Sequence, residues 1–345
     1  MQAMPRILLA AALGAALPAS AAQAQTLAAT AAPAAPTAAA DFPPPESYTA
    51  ETTLPKLIKK YPFIKIAGSE LPPSVRKVGN ITYAHTPERD LALDLYLPAK
   101  APATPLPAIV FVHGGGWQAG LRDSHAPQAI RMAAQGFAGI TITYRLTPVA
   151  RYPAAVIDAK AAVRWVRAHA AEYGIDPDRI AIAGGSAGGQ IAALAGVSEG
   201  VAKFEPEGGG VSSRVQAIVN IDGLSDFTSE AARVNEDRAG VKLSPAGAWF
   251  GGSYAQKTAL WREASPTFYV NAKTPPILFI GSGQERFSVG RDEMMAKLKA
   301  AGVATEVVLF PDTPHSFWLF DPWLDPTVDA TVKFLRAYMP ARAGK

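Results

Sequence analysis

The run Gly184-Gly185-Ser186-Ala187-Gly188-Gly189 places a serine among small residues. Such neighbours are required where a chain turns sharply from strand to helix and lifts a hydroxyl clear of a sheet. Ser186 is therefore a candidate nucleophile. A second glycine-rich run, His113-Gly114-Gly115-Gly116-Trp117, supplies unencumbered backbone N–H groups. Aimed at an oxygen that gains negative charge, they would stabilise it. Gly114 and Gly115, with the N–H of Ala187, are the expected oxyanion hole. A hydroxyl is a weak nucleophile at neutral pH and needs a base within hydrogen-bond reach, itself oriented by a carboxylate. The chemistry implied is acyl transfer through a covalent acyl-serine.

Five histidines compete for the role of base. His85 and His169 read as surface groups, His113 as a residue that shapes its own glycine loop, and His125 as a neighbour of that loop. His315 follows the last strand-like run and precedes the final helix, where the chain order Ser, acid, His places the base. The acid should follow the penultimate strand, where the sequence reads Gly281-Ser282-Gly283-Gln284-Glu285-Arg286-Phe287. Glu285 is the expected acid, since glutamate can serve in this role. Asp292, at the start of the next helix, and Asp312, close to His315 in the chain, are the alternatives. No His, Asp and Glu cluster has metal-ligand spacing, and no cofactor is expected.

These residues need a scaffold that presents strand ends together. Ile109-Val110-Phe111-Val112 runs into the first glycine loop and Ile180-Ala181-Ile182-Ala183 into the second, both apolar enough for buried parallel strands. Alternation at Leu91, Leu93, Leu95 and Leu97 gives an earlier strand. Residues 140–144, 215–221, 277–280 and 307–310 give four more, and helical runs fall at about 154–173 and 291–301. Strands alternating with helices predict a mostly parallel sheet covered on both faces. Between Leu224 and Thr274 no strand is evident, and this segment is expected to lie over the strand ends as a small lid.

With 345 residues, 49% hydrophobic and 18% charged, the chain can bury a large core in one domain. Its first residues stand apart. Arg6, the apolar run Ile7-Leu8-Leu9-Ala10 and the small-residue site Ala22-Gln23-Ala24 read as a signal peptide over 1–24, which predicts a periplasmic or secreted protein. The apolar run is too short for a spanning helix. Residues 25–46, rich in Ala, Thr and Pro, read as a linker, and 47–345 as the catalytic domain. The chain has no cysteine, so neither a lipid-anchoring thiol nor a disulfide framework is available. A net charge of +4 is too small to indicate nucleic acid.

The chain resembles the α/β-hydrolase carboxylesterases of the hormone-sensitive-lipase-like type, and among them the bacterial acetylxylan and feruloyl esterase-like group. The resemblance rests on His113 to Trp117, Tyr144-Arg145-Leu146, Tyr152-Pro153-Ala154 with Asp158, residues 175–180, Gly185 to Gly189, and Pro311 to Trp318. It implies an α/β-hydrolase fold and hydrolysis of a small-molecule or oligosaccharide ester. One departure is visible: the Gly-x-x-Asp turn usual for the acid is replaced by Gln284-Glu285. Trp117 and Trp318 are the expected substrate-binding aromatics, with Trp249 and Trp261 in the lid. An acetyl ester of a plant polysaccharide such as xylan is the favoured substrate. A feruloyl esterase, a lactonase, an exopeptidase and a non-catalytic binding protein are the other readings of this scaffold.

Overall fold

The computed structural model describes residues 44–147, 149–206, 210–237 and 243–340. The expected signal peptide lies outside them, as does nearly all of the linker.

Eight strands form one sheet: β1 (Val75–His85), β2 (Asp90–Pro98), β3 (Leu106–Val112), β4 (Ala138–Ile142), β5 (Ile175–Gly185), β6 (Ala217–Ile221), β7 (Ile277–Ser282) and β8 (Thr305–Phe310). Their spatial order is β1-β2-β4-β3-β5-β6-β7-β8. Only the β1–β2 and β2–β4 pairings are antiparallel; from β4 to β8 the sheet is parallel. This is the mostly parallel sheet that the alternating pattern predicts, in the α/β-hydrolase arrangement that the resemblance implies.

Successive side chains on a strand face opposite sides of the sheet, and the two cores follow that period. Val110, Val112, Ile180 and Ile182 join one core with Val156, Ala159 and Val163 of the helix Ala154–Ala168 and Ile191 of the helix Ala187–Val197. Ile109, Phe111, Ala181 and Ala183 join the other with Ile130 and Met132 of the helix Ala126–Ala134 and Val328 and Val332 of the helix Leu324–Tyr338. Among the described residues no helix is long and apolar enough to cross a membrane.

Three local features depart from expectation. β1 carries no clear apolar alternation because it is an edge strand with most of its side chains partly or fully exposed. Residues 175–179 join β5, with the register against β3 jumping from Leu106–Ile175 to Ala108–Ile180 so that a bulge absorbs Asp176-Pro177-Asp178-Arg179. The helix expected over 154–173 breaks at His169, whose ring stacks on Trp165 at 4.1 Å and whose Nδ1 lies 2.8 Å from the Trp165 carbonyl.

Two histidines sit within the fold near the end of β3. His113 is 2% exposed and His125 is fully buried, stacked on Phe111. Burial pushes His113 down to about 3 and His125 down to about 4 from the ordinary 6.5. Well above pH 6.5 both rings are neutral whether the chain is folded or not. Below it the unfolded chain takes up protons that the fold excludes, so stability falls as pH falls toward the folded values. At up to ~1.4 kcal/mol per pH unit per ring, the two rings lower the unfolding free energy by about 4 kcal/mol between pH 7.5 and pH 5. Urea titrations at the two pH values measure this. A flat free energy across the interval would show that neither ring is held neutral.

Candidate active site

The site is assembled at the carboxyl ends of β3, β5, β6 and β7 and on the loop after β8. β5 ends at Gly185, and the helix Ala187–Val197 starts one residue later, so the chain reverses direction at Ser186. Ser186 takes φ 57° and ψ −123°, a conformation that costs about 1–3 kcal/mol for a residue with a side chain. The turn fits because Gly188 allows helix and strand to touch: a Cβ there would stand 2.0 Å from the Val112 carbonyl oxygen. The Ser186 N–H is taken by the Ile221 carbonyl at 2.8 Å, which docks the elbow on the end of β6.

The loop after β3 folds back beside the elbow. A Cβ at Gly114 would lie 3.2 Å from that of Ser186, so this backbone borders the hydroxyl. Gly115 has φ 120°, and a Cβ there would collide with the Ala119 carbonyl at 2.0 Å. The Gly115 carbonyl accepts the Gln118 and Ala119 N–H groups, closing the loop as a turn. His113 holds its start: Nδ1 donates to the Gly114 carbonyl at 2.8 Å, the ring stacks on Tyr144 at 4.3 Å, and the Tyr144 hydroxyl donates to the His113 carbonyl at 3.0 Å. The next residue, Arg145, is locked by Asp158 through its N–H at 2.8 Å and its guanidinium at 2.8–3.2 Å. Ala187 opens the helix, and its N–H belongs to the first turn, which has no intrahelical acceptor. The three expected oxyanion donors thus flank or adjoin the elbow.

His315 links the nucleophile to a carboxylate. Its Nε2 lies 2.8 Å from Ser186 Oγ and its Nδ1 3.0 Å from Asp222 Oδ2. Nδ1 must carry the proton that the carboxylate accepts, leaving Nε2 free to take the serine proton. Phe287 stacks flat on the imidazole at 3.3 Å and Trp318 meets it edge-on at 5.3 Å, which restricts ring rotation.

The carboxylate is Asp222, not Glu285. Asp222 is the first residue after β6, with its side chain buried. It receives two further hydrogen bonds, from the Ser282 N–H at 2.8 Å and the Ser282 hydroxyl at 2.6 Å. Its φ of 49° is tolerated by aspartate, and the Asn220 side chain braces the turn by accepting the Gly223 N–H and donating to the Gly223 carbonyl. Glu285 falls in a 3-10 turn, Glu285–Phe287, that points it to solvent and turns Phe287 onto the base instead. Asp292 is exposed and paired with Arg291 at 2.7 Å, and Asp312 is exposed. The end of β7 therefore supplies donors to the acid, through Ser282, in place of the acid itself. The signal was present: a strand run, 215–221, ends at Asp222-Gly223 next to the elbow strand.

Ser186, Ala187, Gly116, Trp117, Asp222, Leu224, Pro245, Phe287, Glu236 and Arg286 line a partly open cavity of about 80 Å³. Trp117 lines it but is only 4% exposed, its Nε1 donating to Gln190 at 3.0 Å and its ring stacking on Trp249 at 5.0 Å. Trp318 does not line it. Its ring packs under the elbow, where a Cβ on Gly185 would stand 2.5 Å away, so it supports the turn and the base and presents no face to a ligand. Trp249 and Trp261 are core residues, fully buried. The segment after Leu224 folds as helices, Glu230–Glu236, Pro245–Phe250 and Tyr254–Glu263, and brings Pro245 and Glu236 over the cavity. Arg286 pairs there with Glu236 at 3.0 Å. No group of metal-ligating residues occurs among the described residues.

A family model, BD-FAE, matches residues 93–291, which include the glycine loop, Ser186 and Asp222. The chain belongs to the BD-FAE family. It is similar to the esterase LipQ of Mycobacterium tuberculosis, 32% identical over 68% of this chain, which spans 55% of that protein's length. Among solved structures it resembles the propionate-bound thermophilic esterase of Thermogutta terrifontis, with a TM-score of 0.63 and 27% identity over 79% of this chain and 97% of that one. It also resembles the bifunctional GH43-CE of Bacteroides eggerthii, with a TM-score of 0.63 and 28% identity over 76% of this chain and 38% of that one. The first two likenesses are to proteins named as esterases, and the α/β-hydrolase fold is the one the resemblance implies.

The glycine loop gives a direct test of its role. Gly115→Val introduces a side chain where the backbone has no room for one and turns an N–H away from the site. It should lower kcat on a p-nitrophenyl ester by on the order of 10²-fold, the scale of one lost oxyanion donor, with little change in KM. A variant with wild-type kcat would show that the loop only packs.

Proposed function

We propose that this protein is an exported serine carboxylesterase that removes short acyl groups, acetyl above all, from hydroxylated alcohols such as plant polysaccharides or their oligosaccharides. The observation that carries the reading is the relay from Asp222 through His315 to Ser186, at 3.0 and 2.8 Å, opening on a cavity of about 80 Å³. Ser186 attacks the ester carbonyl while His315 takes its proton. Gly114, Gly115 and Ala187 receive the oxyanion, and His315 returns the proton to the departing alcohol. Water, deprotonated by the same base, then releases the acid.

The volume argues for the acyl group. Pockets for drug-sized ligands run to ~300 Å³ or more, and a cavity of about 80 Å³ beside the serine suits an acetyl group better than a feruloyl ring. The wall argues for the alcohol. Glu236, with its side chain only 6% exposed, and Arg286 form an ion pair on the cavity surface, and such a pair favours hydroxyl-bearing partners over lipid. The named relatives support the ester, and the bifunctional GH43-CE neighbour supports a carbohydrate setting. The leader-like residues 1–24 support export to the periplasm or medium.

A chain-length series tests the acyl limit and natural substrates test the alcohol. On p-nitrophenyl esters, kcat/KM should fall by about tenfold or more between acetate and octanoate, the scale on which a small pocket discriminates between acyl chains. Acetate should be released from acetylated xylan, and ferulate should not be released from feruloylated xylan. Ferulate release, or a rate that rises with chain length, would contradict the reading.

A further inference from the structure

The chain enters the fold beside the catalytic centre. Pro45–Ser47 form one 3-10 turn, and the helix Ala50–Leu57 begins two residues after Tyr48. Thr49 caps this helix: its side chain accepts the Thr52 N–H at 3.2 Å while Thr52 Oγ1 accepts the Thr49 N–H at 2.9 Å. The Thr52 hydroxyl also donates to the Ser47 carbonyl at 3.1 Å, so the backbone is fixed on both sides of Tyr48. Pro45 falls in the stretch expected to be linker, yet its carbonyl accepts the Gly120 N–H at 2.8 Å, at the far end of the oxyanion loop.

Tyr48 reaches further in. Its ring lies against Gly114, 3.4 Å from where a Cβ would stand on that residue, and its hydroxyl lies 3.2 Å from the Oγ of Ser316, the residue after the base. We propose that Tyr48 is a positioning residue of the catalytic centre, tying the loop that carries His315 to the loop that carries the oxyanion donors. The need for such a tie follows from the topology. The oxyanion loop leaves β3 and the base loop leaves β8, and in the sheet β5, β6 and β7 stand between them. No strand pairing sets the spacing of the two loops, whereas a displacement of about 1 Å between reacting groups can cost ~10² in rate. A bridge from outside the sheet, anchored by a capping box, supplies that constraint. Burial pushes the Tyr48 phenol up to about 12, and the charge of Asp222 acts in the same direction, so the hydroxyl keeps its proton wherever the enzyme works.

This role rests on the reading of Ser186, His315 and Asp222 as the acyl-transfer relay, and the experiment separates the two. In the full chain, a fluorophosphonate titrates Ser186, and kcat on p-nitrophenyl acetate is expressed per titrated site. Tyr48→Phe keeps the ring and removes the hydroxyl. Its kcat per site should fall roughly threefold to tenfold, the worth of one hydrogen bond, with KM unchanged. Ser316→Ala should produce a similar loss, and the double variant should be no slower than the slower single, because both act through one contact. A Tyr48→Phe enzyme with wild-type kcat, or a double variant in which the two losses multiply, overturns the role of Tyr48. A wild-type chain that takes no label at Ser186 overturns the relay beneath it.

Discussion

The imidazole of His315 is held at both nitrogens, by a buried carboxylate at 3.0 Å and by the serine hydroxyl at 2.8 Å, and the surrounding structure keeps it there. A loop histidine after the last strand has no intrinsic reason to face an elbow on a central strand. Four independent restraints hold it. Asp222 fixes the tautomer, Phe287 covers one face, Trp318 meets its edge, and Ser316, the next residue, is tied to Tyr48. Asp222 is in turn over-determined by two donors from Ser282 and by the Asn220 brace beneath its turn. With Ser282 and His315 Nδ1 as its donors, the carboxylate is held in place to stabilise an imidazolium as it forms.

The restraint comes from elements whose sequence distances conceal their proximity. Ser186 and the glycine loop were legible because their chemistry is local: the turn at Ser186, the crowding at Gly188 and the positive φ at Gly115 each demand small residues within a few positions. The parallel sheet was legible for a similar reason, since buried runs such as β3 and Ile180 to Ala183 of β5 are apolar on both faces. His315 was legible from chain order. The acid was not, because its identity depends on which strand end faces the base, and that is a property of strand neighbours. β6 and β7 are adjacent, so a carboxylate at the end of either can reach the same imidazole. Here β7 carries Ser282, and the carboxylate stands on β6. The expected binding surface of Trp318 failed for a related reason: an aromatic after the base is as useful beneath the elbow as at a pocket mouth, and only its burial tells the two apart.

The lid segment shows the same limit in another form. Its lack of strands was visible, and its helices do cover the cavity through Pro245 and Glu236. Its tryptophans face inward, where Trp249 stacks on Trp117 and Trp261 packs on Phe250, so the segment is anchored by the core beneath it. That anchoring keeps the cavity small, and the Arg286–Glu236 pair gives its wall a polar character that the scattered aromatics did not foretell. The same segment therefore contributes both to the size of the cavity and to the polarity of its wall.

The displaced acid is the central claim, and the turnover of two isosteric variants tests it most directly. Asp222→Asn preserves shape but leaves Nδ1 of His315 without a charged acceptor, so kcat should drop by about 10³–10⁴, while Glu285→Gln should leave kcat nearly unchanged. The opposite outcome, a near-normal Asp222→Asn enzyme beside a collapsed Glu285→Gln enzyme, would contradict this account and return the acid to the loop after β7.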